Sequence, residues 1–298
     1  MKHALKPLDQ QVVVVTGASS GIGLCTALLA AERGAKVALV ARSGDVLDII
    51  VEEIRESGGD AIALPADVAD RGQLEAVAAD AALQYGRIDT WINNAGVSIY
   101  GRLEQVRDED SRRLFDTNFW GVVYGSLVAL PYLRRQGGAL INVGSEVYDA
   151  VVPLQGMYSA SKHAVKGFTD ALRMEVEVID RAPVSITLIQ PTAVNTPYPQ
   201  RARNYLAHEP KLPSPQLDPH RVAEAILAAA TEGGRDVRVG AMAVMNTAMS
   251  KLLPRVMDRL APRYVREQQE DAPPHDPEGS LFRPVPHNAG RVYGHPPY

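Results

Sequence analysis

Between residues 12 and 239, short β-branched runs alternate with helical patterns, and this rhythm constrains the fold more than any single motif. Strand signals fall at 12–15, 36–41, 61–66, 88–93, 139–143, 184–190 and 237–239. Helical patterns fill the intervals at 22–33, 46–56, 71–85, 104–135, 155–181 and 219–232, the fourth long enough to bend near Gly121. A strand that is followed by a helix returns to the same sheet in the same direction. Repeated βα units therefore build a parallel sheet covered by helices on both faces. The spacing predicts an α/β fold, a doubly wound parallel sheet of about seven strands. A chain of 298 residues that is 46% hydrophobic and 22% charged can bury such a sheet.

Composition removes several function classes. The net charge of −4 argues against a general nucleic-acid binder. Cys25 is the single cysteine, which excludes an intramolecular disulfide and a zinc site built on several thiolates. Its place beside Leu24, Ala27 and Leu28 reads as helix core. The histidines are scattered without ligand spacing, so no metal site is expected. Residues 1–11 lack the apolar stretch of a leader, and no apolar run reaches about 18 residues, so a cytoplasmic chain without a membrane span is expected.

Thr16-Gly17-Ala18-Ser19-Ser20-Gly21-Ile22-Gly23 joins the first strand to the first helix. Glycines there permit a tight turn and let a ligand approach the backbone. The helix start presents unpaired N–H groups and a positive dipole end to phosphate. Further on, Tyr158 and Lys162 stand four residues apart in one predicted helix, hence on one face, and Ser145 lies thirteen residues before Tyr158. An ammonium beside a phenol favours phenolate and can lower its pKa by about 1–3 units, towards proton transfer near neutrality. In a chain with 11 Tyr the spacing alone is a weak signal, and its neighbours have to give it meaning.

Those neighbours resemble the short-chain dehydrogenase/reductase family over about residues 10–240. The Gly-x-x-x-Gly-x-Gly spacing, with Gly17, Ser19, Ser20, Gly21, Ile22 and Gly23, is similar to that family's cofactor-binding turn. Asn93-Asn94-Ala95-Gly96 after the fourth strand resembles its Asn-Asn-Ala-Gly motif, which implies cofactor contacts from Asn94, Ala95 and Gly96. Asp67, with Val68 beside it, ends the third strand like the family's adenine-contacting aspartate. Asn118, Ser145, Tyr158 and Lys162 match the catalytic asparagine, serine, tyrosine and lysine. Pro191, Val194 and Thr196 resemble the stretch that holds the nicotinamide carboxamide, although Thr192 stands where the family usually has Gly. The resemblance implies a Rossmann-type oxidoreductase domain over 1–240, a small-molecule carbonyl or alcohol substrate, and a homo-oligomer.

The second strand ends Val40-Ala41-Arg42-Ser43, without the acid that would bond a ribose 2′-hydroxyl. A guanidinium there suits a 2′-phosphate through charge-assisted hydrogen bonds, so NADP(H) is expected rather than NAD(H). Many relatives carry a second basic residue in the Gly-rich turn. Ser19 and Ser20 stand there instead, which leaves discrimination mainly to Arg42. The implied mechanism has Ser145 and Tyr158 bonding the carbonyl oxygen and Tyr158 passing the proton. Lys162 keeps the phenol acidic and grips the nicotinamide ribose, and Asn118 anchors a water that links Lys162 to solvent. Two alternatives stay open. One is a 3-oxoacyl-thioester reductase; the other is a non-catalytic NADP(H)-binding regulatory protein, against which the full catalytic set argues.

Two segments break the rhythm. The proline-rich stretch 191–219 leaves the carboxyl end of a strand, where loops cover ligands, and is expected to be a lid. Residues 241–266 read as a helix with possible breaks at Pro254 or Pro262, bearing an apolar stripe from Met245 to Leu260 and a basic opposite side. Packing on the domain or a second subunit, roofing an apolar cleft, and lying on an anionic membrane surface are three competing readings of that stripe. The tail from Asp271 to Tyr298 reads by composition as disordered, with Leu281, Phe282, Val285 and Tyr293 as anchors if it wraps instead.

Overall fold

The computed structural model describes residues 4–148, 151–240, 254–285 and 290–294. Seven strands form one sheet: β1 Val12–Thr16, β2 Lys36–Ala41, β3 Asp60–Pro65, β4 Thr90–Asn93, β6 Gly138–Val143, β7 Val184–Pro191 and β9 Asp236–Val239. Their order is β3-β2-β1-β4-β6-β7-β9, and every pairing is parallel. Two further strands, β5 Ile99–Tyr100 and β8 Arg203–Asn204, form a separate parallel pair above the main sheet's carboxyl end. The sequence rhythm missed this pair, because two-residue strands carry no periodicity.

Strand alternation explains why the sheet needs helices on both sides. Val13 and Val15 point to one face, where they pack with residues of helices α1 Gly21–Glu32, α2 Gly44–Glu56 and α7 Pro219–Glu232. Val14 points to the other face, in a second core with residues of α3 Arg71–Tyr85, α5 Gly121–Gln136 and α6 Gly156–Arg173. All five residues of β1 are buried, as a strand covered on both faces requires. Cys25 lies in the first core, and burial, with Asp218 and Glu224 adding to it, pushes its thiol up to about 11.

The pattern at 104–135 resolves into α4 Asp108–Phe115, a π-helical turn at Asp116–Trp120, and α5. The pattern at 155–181 ends α6 in a second π-helical turn, Met174–Ile179. The predicted helix at 241–266 is seen as α8 Pro254–Glu267; residues 241–253, with most of the apolar stripe, lie outside the described residues. Of that stripe, Val256 and Leu260 are exposed.

Beyond α8 the chain follows the 191–219 loop instead of ending in disorder. The Glu209 amide donates to the Ala272 carbonyl, Lys211 to Gln268, and Glu270 back to Glu209. The Asn204 amide donates to Pro277 and the Ser280 amide to Arg201. Leu281 is fully buried against Val97, Ile99 and Leu114. Backbone pairing and one apolar anchor order a segment whose composition alone reads as disordered.

Candidate active site

The strand order reverses between β1 and β4, and ligand crevices of doubly wound sheets open at the carboxyl ends of such a pair. A cleft of about 280 Å³ lies there. Residues from the Gly-rich turn, Arg42, Asp67, Val68, Asn94–Gly96, Ser145, Tyr158, Lys162, Pro191, Val194 and Thr196 all line it. Gly23 and Asn118 do not line it and act from behind.

The turn is built for close approach. Gly17 and Gly21 hold φ of 68° and 57°, which side chains resist, and a Cβ on Gly23 would stand 2.2 Å from the Gly17 carbonyl. Thr16 fastens this turn to the end of β4: its hydroxyl accepts from the Asn94 and Ala95 amides at 3.0 and 3.1 Å. The Asn94 side chain returns a bond to the Thr16 carbonyl at 2.9 Å. Asn93 faces the opposite way, into a buried polar network with Trp91, Ser126 and Asn142.

Lys162 is 5% exposed, and its ammonium donates to the Val143 carbonyl at 3.0 Å while standing 5.7 Å from the centre of the Tyr158 ring. Burial lowers its pKa to about 8. Burial raises that of Tyr158; the Tyr198 and Ser145 hydroxyls oppose the rise, and the Glu146 carboxylate adds to it. Tyr198, whose ring lies 5.7 Å from that of Tyr158, was missed by sequence reasoning, since nothing marks a tyrosine within a proline-rich loop. Its own hydroxyl is buried without a partner at good hydrogen-bond geometry, so its approach to Tyr158 is a near contact and not a formed bond.

Asn118 sits on the π-helical turn and is fully buried. Its amide group donates to the Val97 carbonyl at 2.9 Å and the Ser161 hydroxyl at 3.2 Å, and its oxygen accepts from the Val97 amide at 2.8 Å. It thus ties the loop after β4 to α6, one residue from Lys162. Thr192, in the unusual position after Pro191, donates to Glu146 at 2.6 Å and extends the β7–β9 pairing through the Val239 carbonyl.

The adenosine side differs from expectation in its partners. Arg42 donates to the backbone carbonyls of Ser280 and Leu281, at 3.2 Å for Leu281. Asp67 is paired with Arg113, which also donates to the Leu281 carbonyl. The Gly21 amide, at the start of α1, donates to the Arg291 carbonyl at 2.9 Å. The tail therefore forms one wall of the cleft and bonds groups expected to hold phosphate. Val147, Val152, Leu212 and Pro213 add apolar lining to the cleft, beside the polar Ser98, Gln155 and Tyr198.

A parallel sheet wound in this order, with this cleft at its switch point, is an oxidoreductase architecture, and the chain belongs to the short chain dehydrogenase family, whose model matches residues 11–206. It is 44% identical over 286 residues to an uncharacterized oxidoreductase, YxnA, of Bacillus subtilis, covering 94% of this chain and 80% of that one. An 11-beta-hydroxysteroid dehydrogenase-like protein of Arabidopsis thaliana is 38% identical over 203 residues, 66% of this chain and 63% of its own length. Among solved structures, an alcohol dehydrogenase of the archaeon Thermococcus sibiricus, complexed with 5-hydroxy-NADP, superposes with a TM-score of 0.66 at 28% identity over 77% of this chain and 94% of that one. No helix among the described residues is long and apolar enough to cross a membrane.

Proposed function

We propose that the protein is an NADP(H)-dependent oxidoreductase that interconverts a carbonyl and a secondary alcohol, with Tyr158 as its acid and base. The observation that carries this reading is the convergence of Ser145, Tyr158 and Lys162 on the cleft that the Gly-rich turn also lines. The residues fit a nicotinamide dinucleotide: the positive-φ Gly17 and Gly21 bring bare backbone to the cleft wall, and α1 begins there at Gly21. Arg42 reaches the same cleft from the end of β2, where a 2′-phosphate would need a cation.

When bound, NADP(H) supplies or accepts the hydride. Ser145 and Tyr158 hold the substrate oxygen between their hydroxyls. Tyr158, kept protonated by burial, donates its proton as negative charge develops on that oxygen. Lys162 stands behind the ring as a cation and favours the phenolate that remains. Asn118 is a positioning residue, because its side chain is engaged with Val97 and Ser161. The apolar lining beneath the 191–219 loop favours a substrate with a hydrophobic body around its oxygen.

Tyr158→Phe is expected to lower kcat by about 10²–10⁴-fold while NADPH binding stays near wild type. A panel of ketones and alcohols followed at the NADPH absorbance, repeated with this variant, tests both parts. Undiminished turnover by Tyr158→Phe would overturn the assignment.

A further inference from the structure

We propose that Arg201, carried by the loop after β7, joins Arg42 to form a two-guanidinium cradle for the 2′-phosphate of the cofactor. This rests on the NADP(H) reading above and extends it to a residue outside every motif of the sequence. Arg201 lines the same cleft as Arg42, Ser20 and Ser43. One of its terminal nitrogens donates to the Ser20 hydroxyl, so the guanidinium lies over the neutral turn in which no basic residue stands. The other donates to the Val285 carbonyl at 3.5 Å. Its Nε is buried and has no acceptor.

The charges around this point do not balance among the described residues. Arg42 lies near both Arg113 and Arg201, and Asp67 is the one carboxylate bonded to any of the three, through Arg113. Burial and then the Arg42 charge lower the pKa of Arg201; burial and Arg113 lower that of Arg42, and Asp67 offsets part of it. Every oxygen that Arg42 and Arg201 bond is neutral: the Ser20 hydroxyl and the carbonyls of Ser280, Leu281 and Val285. A dianionic phosphate is a stronger acceptor than any of these and matches the surplus of positive charge. It would also give the Arg201 Nε an acceptor. Arg201 is held for this task from behind, since its carbonyl accepts from both the amide and the hydroxyl of Ser280.

Binding of NADPH, NADH, 2′,5′-ADP and 5′-AMP to the full chain is measured by calorimetry for wild type, Arg42→Ala, Arg201→Ala and Arg201→Lys. Thermal melting of each variant checks that it is folded. The expected result is a wild-type preference for NADPH and 2′,5′-ADP. Arg201→Ala should lose about tenfold or more in affinity for these two ligands, with NADH and 5′-AMP unchanged. Arg201→Lys should recover part of the loss. If Arg42→Ala removes the preference and Arg201→Ala does not, the cradle is wrong and the NADP(H) reading stands. An equal loss for NADPH and NADH would move Arg201 to the pyrophosphate and overturn the cradle. A wild type without preference would overturn the NADP(H) reading itself, and the cradle with it.

Discussion

Lys162 shows what a buried charge costs at the scale of one residue. Its ammonium is buried and bonded to a single neutral carbonyl, so its folded pKa falls to about 8 from an ordinary value of 10.5. Between those values the unfolded chain holds the proton more tightly than the folded one. Folding stability attributable to Lys162 therefore rises with pH from about 8 to 10.5, and below 8 the buried charge is a full penalty. Lys162→Met should accordingly be more stable than wild type in urea melts at pH 7, with a gap that narrows at pH 10, while turnover collapses. A gap independent of pH would mean that the ammonium is not the cause. The proposed carbonyl reduction requires both Tyr158 and Lys162 protonated, and burial already keeps the phenol so. The alkaline limb of kcat/KM for reduction is expected to lie near pH 8, set by Lys162.

At the scale of elements, the 191–219 loop is a braced structure and not a free lid. Asp110, on α4 and fully buried, bonds Arg203 at 2.9 Å, Tyr205 at 2.6 Å and Arg107 at 2.8 Å. Burial alone would raise its pKa, but these three bonds hold it below the ordinary carboxylate value. Its contribution is present at neutral pH and is lost as pH falls through that lowered value. Asp110→Asn should destabilise the protein by about 1–3 kcal/mol, because Arg203 loses its buried partner and keeps only the exposed Glu278. The expected signature is a lower Tm together with faster proteolysis within residues 201–211. Gln155, just before α6 and in the cleft lining, accepts from the Ser98 hydroxyl at 3.3 Å; its amide donates to Gln268 at 2.8 Å, and Gln268 donates to Pro153 and Tyr264 carbonyls at 3.0 and 3.2 Å. The extension thus touches the helix that carries Tyr158 as well as the loop that covers it.

Across the whole molecule, the tail bonds backbone groups of the turn that the proposed dinucleotide would use. The Gly21 amide is bonded to the Arg291 carbonyl, and the Gly290 amide to the Ser19 carbonyl. Saturation with NADPH should release this contact and speed hydrogen exchange at the Gly290 amide by about tenfold or more. Unchanged exchange would show that phosphate binds without disturbing the tail. The βα rhythm was legible in the sequence because β-branched runs and helical periods are local properties: each strand of the main sheet falls within a few residues of its predicted place. The Gly-rich turn, Asn118, Ser145, Tyr158 and Lys162 were marked by the family resemblance of their motifs, and Gly17, Ser19, Ser20, Gly21 and Ile22 of the turn line one cleft with Ser145, Tyr158 and Lys162. Tyr198, Arg201 and Gln268 were not. They lie in or beyond the proline-rich loop, where no period indicates which way a side chain points; Tyr198 and Arg201 line the cleft and Gln268 bonds Gln155 of its lining because distant backbones pair there. The sequence by itself determined the sheet and the position of its chemistry, because local pattern fixes strands, helices and the crevice between them. Only the tertiary structure decided what walls that crevice, because burial of Leu281 and backbone bonds between residues some seventy apart are properties of the folded chain alone.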